Sequence, residues 1–474
     1  MSIFSDINAR QLPKMLKYSE LTPLGVASSA KKIKFFPAGA TVFTPSNNII
    51  RIPISSGSCF LDGTMTALKF TYHNGDPNVG NFACVDGSAS SFIARMRLSS
   101  QSSNADLEDI RFYGHLHAAL SDMCMSTAQR FSRTHEGYGC GFVNRPSPGG
   151  VIPDSVGTME PMIASGSSIT FTIPILSSLI GANSKKYLPL FLTGQIVLEI
   201  EIAVAPTYNV GAAYIPAVPG GAAAIPAVAP TDCAPTFWID GVELHTQLVE
   251  FNSDINNSLK ELCFKPNEEI GPGGVPLPNG LFLHTHQWSS FTQSCLAEPA
   301  HSMVVSERLK SVKSVLVAFN QVKTNATRGV GRYSGDVNSL QFKIGSSYYP
   351  DQPISGVAGD RTSNSEYLLE LWKSMGHYND SQHAALINSE NFTSRMNSQF
   401  NVGRALYGID LDGFSPSNGE IESGINCVLN NPMTITTSGI MTNGNAYVPC
   451  NMYAHLLHDV LIRIANDGKV SKSS

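Results

Sequence analysis

Hydrophobic and polar residues alternate along much of this chain, in short runs separated by glycine, proline and asparagine. The clearest run covers residues 195–204. In it Val197, Glu199 and Glu201 alternate with isoleucine and leucine at positions 196, 198, 200 and 202. A period of two places every second side chain on the same face of an extended backbone. This run therefore predicts a β-strand with one buried face and one face toward solvent.

Similar runs recur from one end of the chain to the other. They predict further strands at residues 49–54, 68–72, 92–98, 169–175, 187–192, 237–251, 280–291, 312–319, 340–344 and 456–464. Two segments have the pattern of a helix: residues 104–130, with Asn104 as the N-cap, and residues 363–375, closed by Gly376. Many short strands with few helices indicate an all-β protein built from sandwiches or barrels.

One segment, residues 205–236, differs in composition from the rest. Within it AAYIPAVPGG is followed at once by AAAIPAVAP, and no charged side chain occurs before Asp232. Proline at this spacing interrupts both helices and strand ladders, so we expect an exposed loop that leaves the sheet between its flanking strands. A neutral loop of this length is usually a functional surface feature.

After this loop the same series of features starts again. Residues 1–250 and 251–474 each contain a group of strands, then a helix, then more strands, although no residue-level repeat links the two halves. We therefore predict an N-terminal arm at residues 1–39, a first domain at 40–250 and a second domain at 251–474.

The composition narrows the class of protein. The chain has 474 residues, which favours more than one domain, and 42% of them are hydrophobic, enough for a large core. Charged residues make up 15%, against about 25% in a typical globular protein. With a formal net charge of −5, the chain as a whole is not an electrostatic nucleic-acid binder. The shortage of charge indicates a surface that is rich in neutral polar residues or covered by partner chains.

The nine cysteines are scattered along the chain, and none belongs to a C-x-x-C pair. The N-terminal segment lacks the apolar run of a signal sequence. Both features predict reduced thiols and synthesis in the cytosol or nucleus. No stretch of about 18 consecutive apolar residues occurs, so we expect no membrane-spanning helix.

Two His-x-His pairs are the strongest candidates for a chemical site. Residues two apart share a face of a strand, so His284 and His286 have the arrangement with which cupin enzymes bind a metal ion. A cupin also supplies a downstream acid and a third histidine, whereas Glu298 and His301 lie in a predicted loop. We therefore expect two ordinary strand histidines and no metal site.

The remaining motifs are incomplete. His115 and His117 lie in a predicted helix, where residues two apart diverge. The glycine-rich run at 137–141 lacks the Gly-Lys-Ser/Thr of a phosphate-binding loop, and the run DLDG at 410–413 lacks the other ligands of a calcium loop. We predict no catalytic residue, no cofactor and no metal ion, and hence a protein that is not an enzyme.

Several stretches, taken in order, carry a resemblance to one family. They are NIIRIPISSGSCFLD at 48–62, LKFTY at 68–72, PTFWIDGVEL at 235–244, HSMVVSERLKSVKSVL at 301–316, LQFKIGSSYYPDQPI at 340–354, YGIDLDGF at 407–414 and SGIN at 423–426. In this series the chain resembles the double jelly-roll major capsid proteins of the adenovirus/tectivirus-like lineage of DNA viruses, especially those of Polinton-like viruses and adintoviruses. The departures are the loop at 205–236 and a longer arm before residue 40.

The resemblance implies two tandem eight-stranded jelly rolls, with the domain at 40–250 as the first and the domain at 251–474 as the second. It also implies a homotrimeric, pseudo-hexagonal capsomer in an icosahedral shell. The expected partners are further copies of the chain, neighbouring capsomers, and minor capsid, cement and penton proteins. The expected location is the virion, assembled in the cytoplasm or nucleus of the host. The alternatives are a minor or vertex capsid component and, more remotely, a carbohydrate-binding or cupin-like jelly-roll protein.

The N-terminal arm carries an excess of positive charge, since residues 1–35 contain six lysines and arginines and two acidic residues. We expect it to make inner contacts, chiefly with neighbouring capsomers, and we expect no sequence-specific binding of nucleic acid. The alternatives are contact with an inner membrane or packaged DNA, and a solvated tail.

Overall fold

The computed structural model describes residues 28–75, 81–84, 88–138, 162–164, 166–181, 184, 186–203, 211–212, 236–264, 280–321, 332, 337–356, 364–378, 385–392, 405–412, 424–428, 432–438, 441–442, 446–447, 449–465 and 468–473. In these parts of the chain the strands fall into two groups, one before and one after residue 264, and no strand of one group pairs with a strand of the other.

The longer strands of the first group form two antiparallel sheets, each with a path of four strands. One sheet has, from edge to edge, β1 (Ser28–Phe35), β12 (Phe237–Phe251), β3 (Phe60–Asn74) and β8 (Ser168–Pro174). The other has β2 (Ile49–Ile54), β10 (Ile196–Ile202), β5 (Ile93–Ser100) and β6 (Ala105–Arg111). The chain crosses between the sheets in the order of an eight-stranded jelly roll.

The second group repeats this arrangement. One sheet has, in spatial order, β13 (Leu281–Cys295), β22 (Cys450–Ile464), β15 (Val312–Gln321) and β18 (Tyr407–Asp410). The other has β14 (Ala300–Val304), β19 (Met433–Ser438), β16 (Ser339–Ile344) and β17 (Ser347–Ser355). The two halves therefore share one strand order, and the prediction of two tandem eight-stranded jelly rolls is confirmed.

The remaining strands are short, and the described helices lie between the strands. The strands are β4 (Asn81–Cys84), β7 (Met162–Ala164), β9 (Leu188–Pro189), β11 (Gly211–Ala212), β20 (Met441–Thr442), β21 (Ala446–Tyr447) and β23 (Val470–Ser473). The helices are α1 (Tyr113–Cys124), α2 (Thr127–Ser132), α3 (Leu190–Thr193), α4 (Ser253–Phe264), α5 (Ser365–Ser374) and α6 (Ser389–Phe392). None of the described helices has both the length and the apolar character needed to cross a bilayer.

Strand β10 shows how the alternating pattern builds a core. Its aliphatic residues at even positions are buried, while the residues between them are partly exposed. In the register of the sheet, Leu198 lies between Ile52 of β2 and Leu98 of β5. All three side chains are fully buried. The row they form joins three strands through contacts that depend on the period of two.

The predicted helix at 104–130 is wrong at its start. Residues 105–111 form β6, paired with β5, and Asn104 precedes this strand with a φ of 50°. The register shifts between Leu98 and Ser99, so Leu107 occupies a bulge and is buried beside Glu108. A bulge breaks the period of two, and this is why the segment has the spacing of a helix. The predicted strand at 187–192 is also shorter, because it continues into α3.

The predicted division into an arm at 1–39 and a first domain at 40–250 differs from the structure, because β1 is an edge strand of the first jelly roll. Its lysines form ion pairs across the edge, Lys31 with Glu250 at 2.9 Å and Lys34 with Glu243 at 3.0 Å. Charged side chains on an edge strand resemble those of a solvated tail in sequence. The rest of the predicted arm, residues 1–27, lies outside the described residues.

The predicted loop at 205–236 also lies largely outside the described residues. Of its residues the structure describes 211–212, which form β11 and pair with β4, and Thr236. The predicted helix at 363–375 is confirmed as α5. Gly376 follows it with a φ of 70°, the left-handed conformation typical of a residue that ends a helix.

We expect Leu198→Ala to lower the free energy of unfolding by about 2–5 kcal/mol, because it leaves a cavity between three strands. Val197→Ala is the matched control, since it removes two carbons from the partly exposed face of the same strand and should cost less than about 1 kcal/mol. Urea unfolding of the two variants measures both values. Equal losses would contradict the assignment of the buried face.

Candidate functional site

A buried ion triad joins the two jelly rolls. Asp122 lies on α1 of the first jelly roll, and its two carboxylate oxygens accept hydrogen bonds from Arg130 of α2 and from Arg332. Arg332 belongs to the second jelly roll, between β15 and β16. The three side chains are at most 6% exposed. Two guanidinium groups thus share one carboxylate in a site from which water is largely excluded.

The same aspartate holds the second jelly roll through its backbone. The carbonyl oxygen of Asp122 accepts a hydrogen bond from the amide of Leu386 at 2.9 Å. Arg332 donates from Nε to the carbonyl of Ala405 at 3.1 Å. One turn of α1 is therefore tied to two separate segments of the second jelly roll.

The histidines of α1 have different partners. His115 stacks on Tyr453 of β22, with ring centroids 4.5 Å apart. Its Nδ1 atom lies 3.2 Å from Nδ2, the side-chain amide nitrogen, of Asn320. His117 lies within hydrogen-bonding distance of Ser88 and Ser121, in the first jelly roll. Residues two apart on the helix face different surroundings, as their spacing predicts. The ring of His115 contacts the second jelly roll, whereas the ring of His117 packs within the first.

A second contact joins β13 to the edge strand β6. Gln287 donates from Nε2 to the carbonyl of Leu107 at 2.9 Å. Next to it lies Glu108, which accepts hydrogen bonds from Ser177 and from the amide of Ser178. Burial raises the pKa of Glu108, and the hydrogen bonds oppose this shift only in part.

Strand β22 carries two further buried histidines. The Nδ1 atom of His455 lies 2.7 Å from the hydroxyl of Ser290, and the Nε2 atom of His458 lies 3.1 Å from that of Ser289. Burial, helped by the charge of Arg332, lowers the pKa of His455 to about 3. Burial, helped by Lys472, lowers that of His458 to about 4. Both rings are neutral in the folded chain near neutral pH.

The pair His284 and His286 lies on one face of β13, as its spacing predicts. Asp459 of β22 stands directly opposite His286 in the register of the two strands. Its Oδ1 atom lies 2.7 Å from Nδ1 of His286 and 3.3 Å from Nε2 of His284. No local sequence pattern indicates this acid, because it lies 173 residues beyond His286 and is brought there by strand pairing.

The two loop motifs behave as turns where the structure describes them. Gly137 has a φ of 73° and ends a short turn, and residues 139–141 lie outside the described residues. The Oδ1 atom of Asp410 accepts a hydrogen bond from the amide of Asp412 at 3.0 Å. A carboxylate that bonds to the backbone two residues ahead stabilises an ordinary turn.

Several large apolar side chains remain on the surface of the single chain. The most exposed are Leu296, Met65, Val304, Phe36 and Tyr378, between 58% and 67%. Val304 lies on β14 and Tyr348, also exposed, on β17, and these are the two edge strands of one sheet. Open edges that carry apolar side chains are surfaces that proteins normally cover.

We expect Asp122→Asn to lower the free energy of unfolding by about 3–5 kcal/mol, because it leaves two buried guanidinium groups without a countercharge. Glu199→Gln is the control. It breaks the more exposed pair with Arg51, and should cost at most about 1 kcal/mol. Urea unfolding measures both. A loss for Asp122→Asn no larger than for the control would show that the triad contributes little.

The buried histidines predict a loss of stability in mild acid. An unfolded histidine takes up a proton near its ordinary pKa of 6.5, whereas His455 stays neutral down to about 3. Between these values the unfolded state binds more protons, so the free energy of unfolding falls as the pH falls, by about 1.4 kcal/mol per pH unit for each such histidine.

His455→Gln should therefore reduce the pH slope of the free energy of unfolding by about that amount between pH 6 and 4.5. His135→Gln, at an exposed position, is the control and should keep the slope of the original chain. Urea unfolding at several pH values measures the slopes. The same slope in all three proteins would exclude His455 as a cause.

Comparison with solved structures identifies the fold. No protein-family model and no curated protein sequence matches the chain. Among solved structures, a chain of the Sputnik virophage is 13% identical, with a TM-score of 0.60, over 100% of this chain and 94% of that chain. PBCV-1 VP54 is 10% identical, with a TM-score of 0.58, over 96% and 99%. The Faustovirus major capsid protein is 8% identical, with a TM-score of 0.55, over 94% and 92%. The chain has the double jelly-roll fold of these viral capsid proteins.

Proposed function

We propose that this chain is a major capsid protein whose homotrimers form the pseudo-hexagonal capsomers of an icosahedral viral shell. The observation that carries the proposal is the pair of jelly rolls with one strand order, in a fold that matches viral capsid chains along nearly its whole length. The match spans both chains, so the similarity is not confined to a single sandwich.

The geometry of the two halves supports a trimer. Two jelly rolls of one topology give each chain two similar units at the rim of a capsomer. Three chains related by a threefold axis therefore give six such units, one for each corner of a hexagon. The buried triad of Asp122, Arg130 and Arg332 supports the same view, because it ties the two jelly rolls of one chain together. A chain with two linked corners is suited to tiling a surface hexagonally.

The surface supports burial against other chains. Charged residues make up 15% of the sequence, and the open strand edges carry exposed apolar side chains such as Val304 and Tyr348. Large obligate interfaces are depleted of charge and enriched in aromatic residues. We propose that these edges contact other copies of the chain, neighbouring capsomers, and minor capsid, cement or penton proteins.

The proposed role is structural, with the virion as its location and assembly in the host cytoplasm or nucleus. We propose no catalytic residue and no enzymatic activity. The N-terminal residues that precede β1 are proposed to reach neighbouring capsomers on the inner side of the shell. The residues of the loop at 205–236 are proposed to lie on the outside of the first jelly roll.

Native mass spectrometry of the purified chain tests the assembly. We expect a homotrimer of about 153 kDa, three times the chain mass of 50.9 kDa, because the charge-poor surface requires an extensive interface. Negative-stain images of the same sample should show six-sided particles. A dominant pentamer of about 255 kDa would favour a vertex component. A stable monomer would contradict both and favour a binding protein.

A further inference from the structure

Three potential metal ligands converge on the surface of the second jelly roll. Oδ1 of Asp459 lies 2.7 Å from Nδ1 of His286 and 3.3 Å from Nε2 of His284. All three donor atoms lie within 4.8 Å of one another. Imidazole nitrogens and a carboxylate oxygen form a donor set that suits zinc and similar divalent ions.

These separations are close to what one ion requires. A tetrahedral zinc ion holds nitrogen and oxygen ligands at about 2.0–2.1 Å, which places neighbouring donor atoms about 3.3 Å apart. The distance from His284 to Asp459 already has this value, and the shorter one from His286 needs to open by about half an ångström. The two imidazoles also offer nitrogens within 4.8 Å of each other, so the remaining adjustment falls to rotation of the side chains.

The backbone fixes where the three ligands stand. His284 and His286 are two residues apart on β13, and Asp459 is the partner of His286 on β22. The pairing of these strands continues without a register shift from Leu281 to Cys295. Strand positions hold side chains more rigidly than loops do, and this reduces the entropy that ion binding would cost.

A second hydrogen bond orients the carboxylate. Ser311 donates from its hydroxyl to Oδ2 of Asp459 at 2.6 Å, which directs Oδ1 toward the two imidazoles. Partners of this kind orient the ligands in metal sites and raise their affinity.

One cation lies near this site. Nζ of Lys313 is 3.9 Å from Oδ1 of Asp459, but it is closer to Asp412, at 3.6 Å. The ammonium is thus shared between two carboxylates and does not neutralise Asp459 alone. His284 is 49% exposed, so solvent reaches the side of the cluster where a fourth ligand would bind.

We propose that His284, His286 and Asp459 form a zinc-binding site that clamps β13 to β22, with water as the fourth ligand. The site differs from the sequence-based expectation because its acid comes from the paired strand and not from the segment after His286. The inference does not depend on the proposed capsid function, since binding of the ion is a property of the folded chain.

Isothermal titration with zinc chloride, after dialysis of the full chain against EDTA and then buffer, tests the site. We expect one ion per chain with micromolar or tighter affinity. His284→Ala, His286→Ala and Asp459→Asn should each weaken binding by about tenfold or more, because each removes one of three protein ligands. His245→Ala is the matched control, since it removes a strand histidine that pairs with Glu243 at 2.9 Å and whose partners in the register are Lys34 and Ala67.

Cobalt provides a spectroscopic test of the same geometry. Cobalt chloride should give visible absorption bands of a tetrahedral site in the original chain and in His245→Ala, and none in His284→Ala. His284 is largely exposed, so of the three ligand variants His284→Ala should disturb folding least. Thermal unfolding in EDTA verifies that it folds normally. Absence of saturable binding in the original chain would overturn the proposal. Equal binding by a normally folded His284→Ala would overturn it as well.

Discussion

The carboxylate of Asp122 is the group on which the contact between the two jelly rolls depends. It is buried between two arginines, one from each jelly roll, so loss of the carboxylate would leave two buried guanidinium groups without a countercharge. Such an arrangement adds less to stability than to specificity, because the desolvation of three ions offsets most of their attraction. In some proteins buried ionic groups of this kind favour one arrangement of the packed elements over others that apolar contacts alone would allow.

The two jelly rolls repeat a strand order without repeating a sequence. A strand requires only that alternate residues be apolar, and Leu198 in one half and Phe342 in the other both meet that requirement. Many sequences satisfy the same alternation, so the topology can persist while the residues diverge. The sequence identities of 8–13% to capsid chains of matching fold are consistent with a fold that requires only this alternation.

Because a strand requires only alternating apolar residues, the sequence predicts some elements of the structure and not others. Strands β2 and β12 are predicted to the residue: the alternation of β2 is unbroken, and the two register shifts of β12 leave most of its alternation intact. Strand β6 is missed because a bulge at Leu107 imitates helical spacing. The pair His284 and His286 is visible in the sequence, but Asp459 is not, since its place beside them follows from a register that no local pattern specifies. The triad of Asp122 is missed for a similar reason: Arg332 is 210 residues away.

The pairing of β13 with β22 connects the histidine cluster to the junction of the jelly rolls. His286 and Gln287 are neighbours on β13 and therefore point to opposite faces of the sheet. One faces Asp459, and the other bonds to Leu107 of the first jelly roll. A slip of one residue in β13 would exchange these faces and break both contacts together. Each contact therefore helps to fix the register that the other requires.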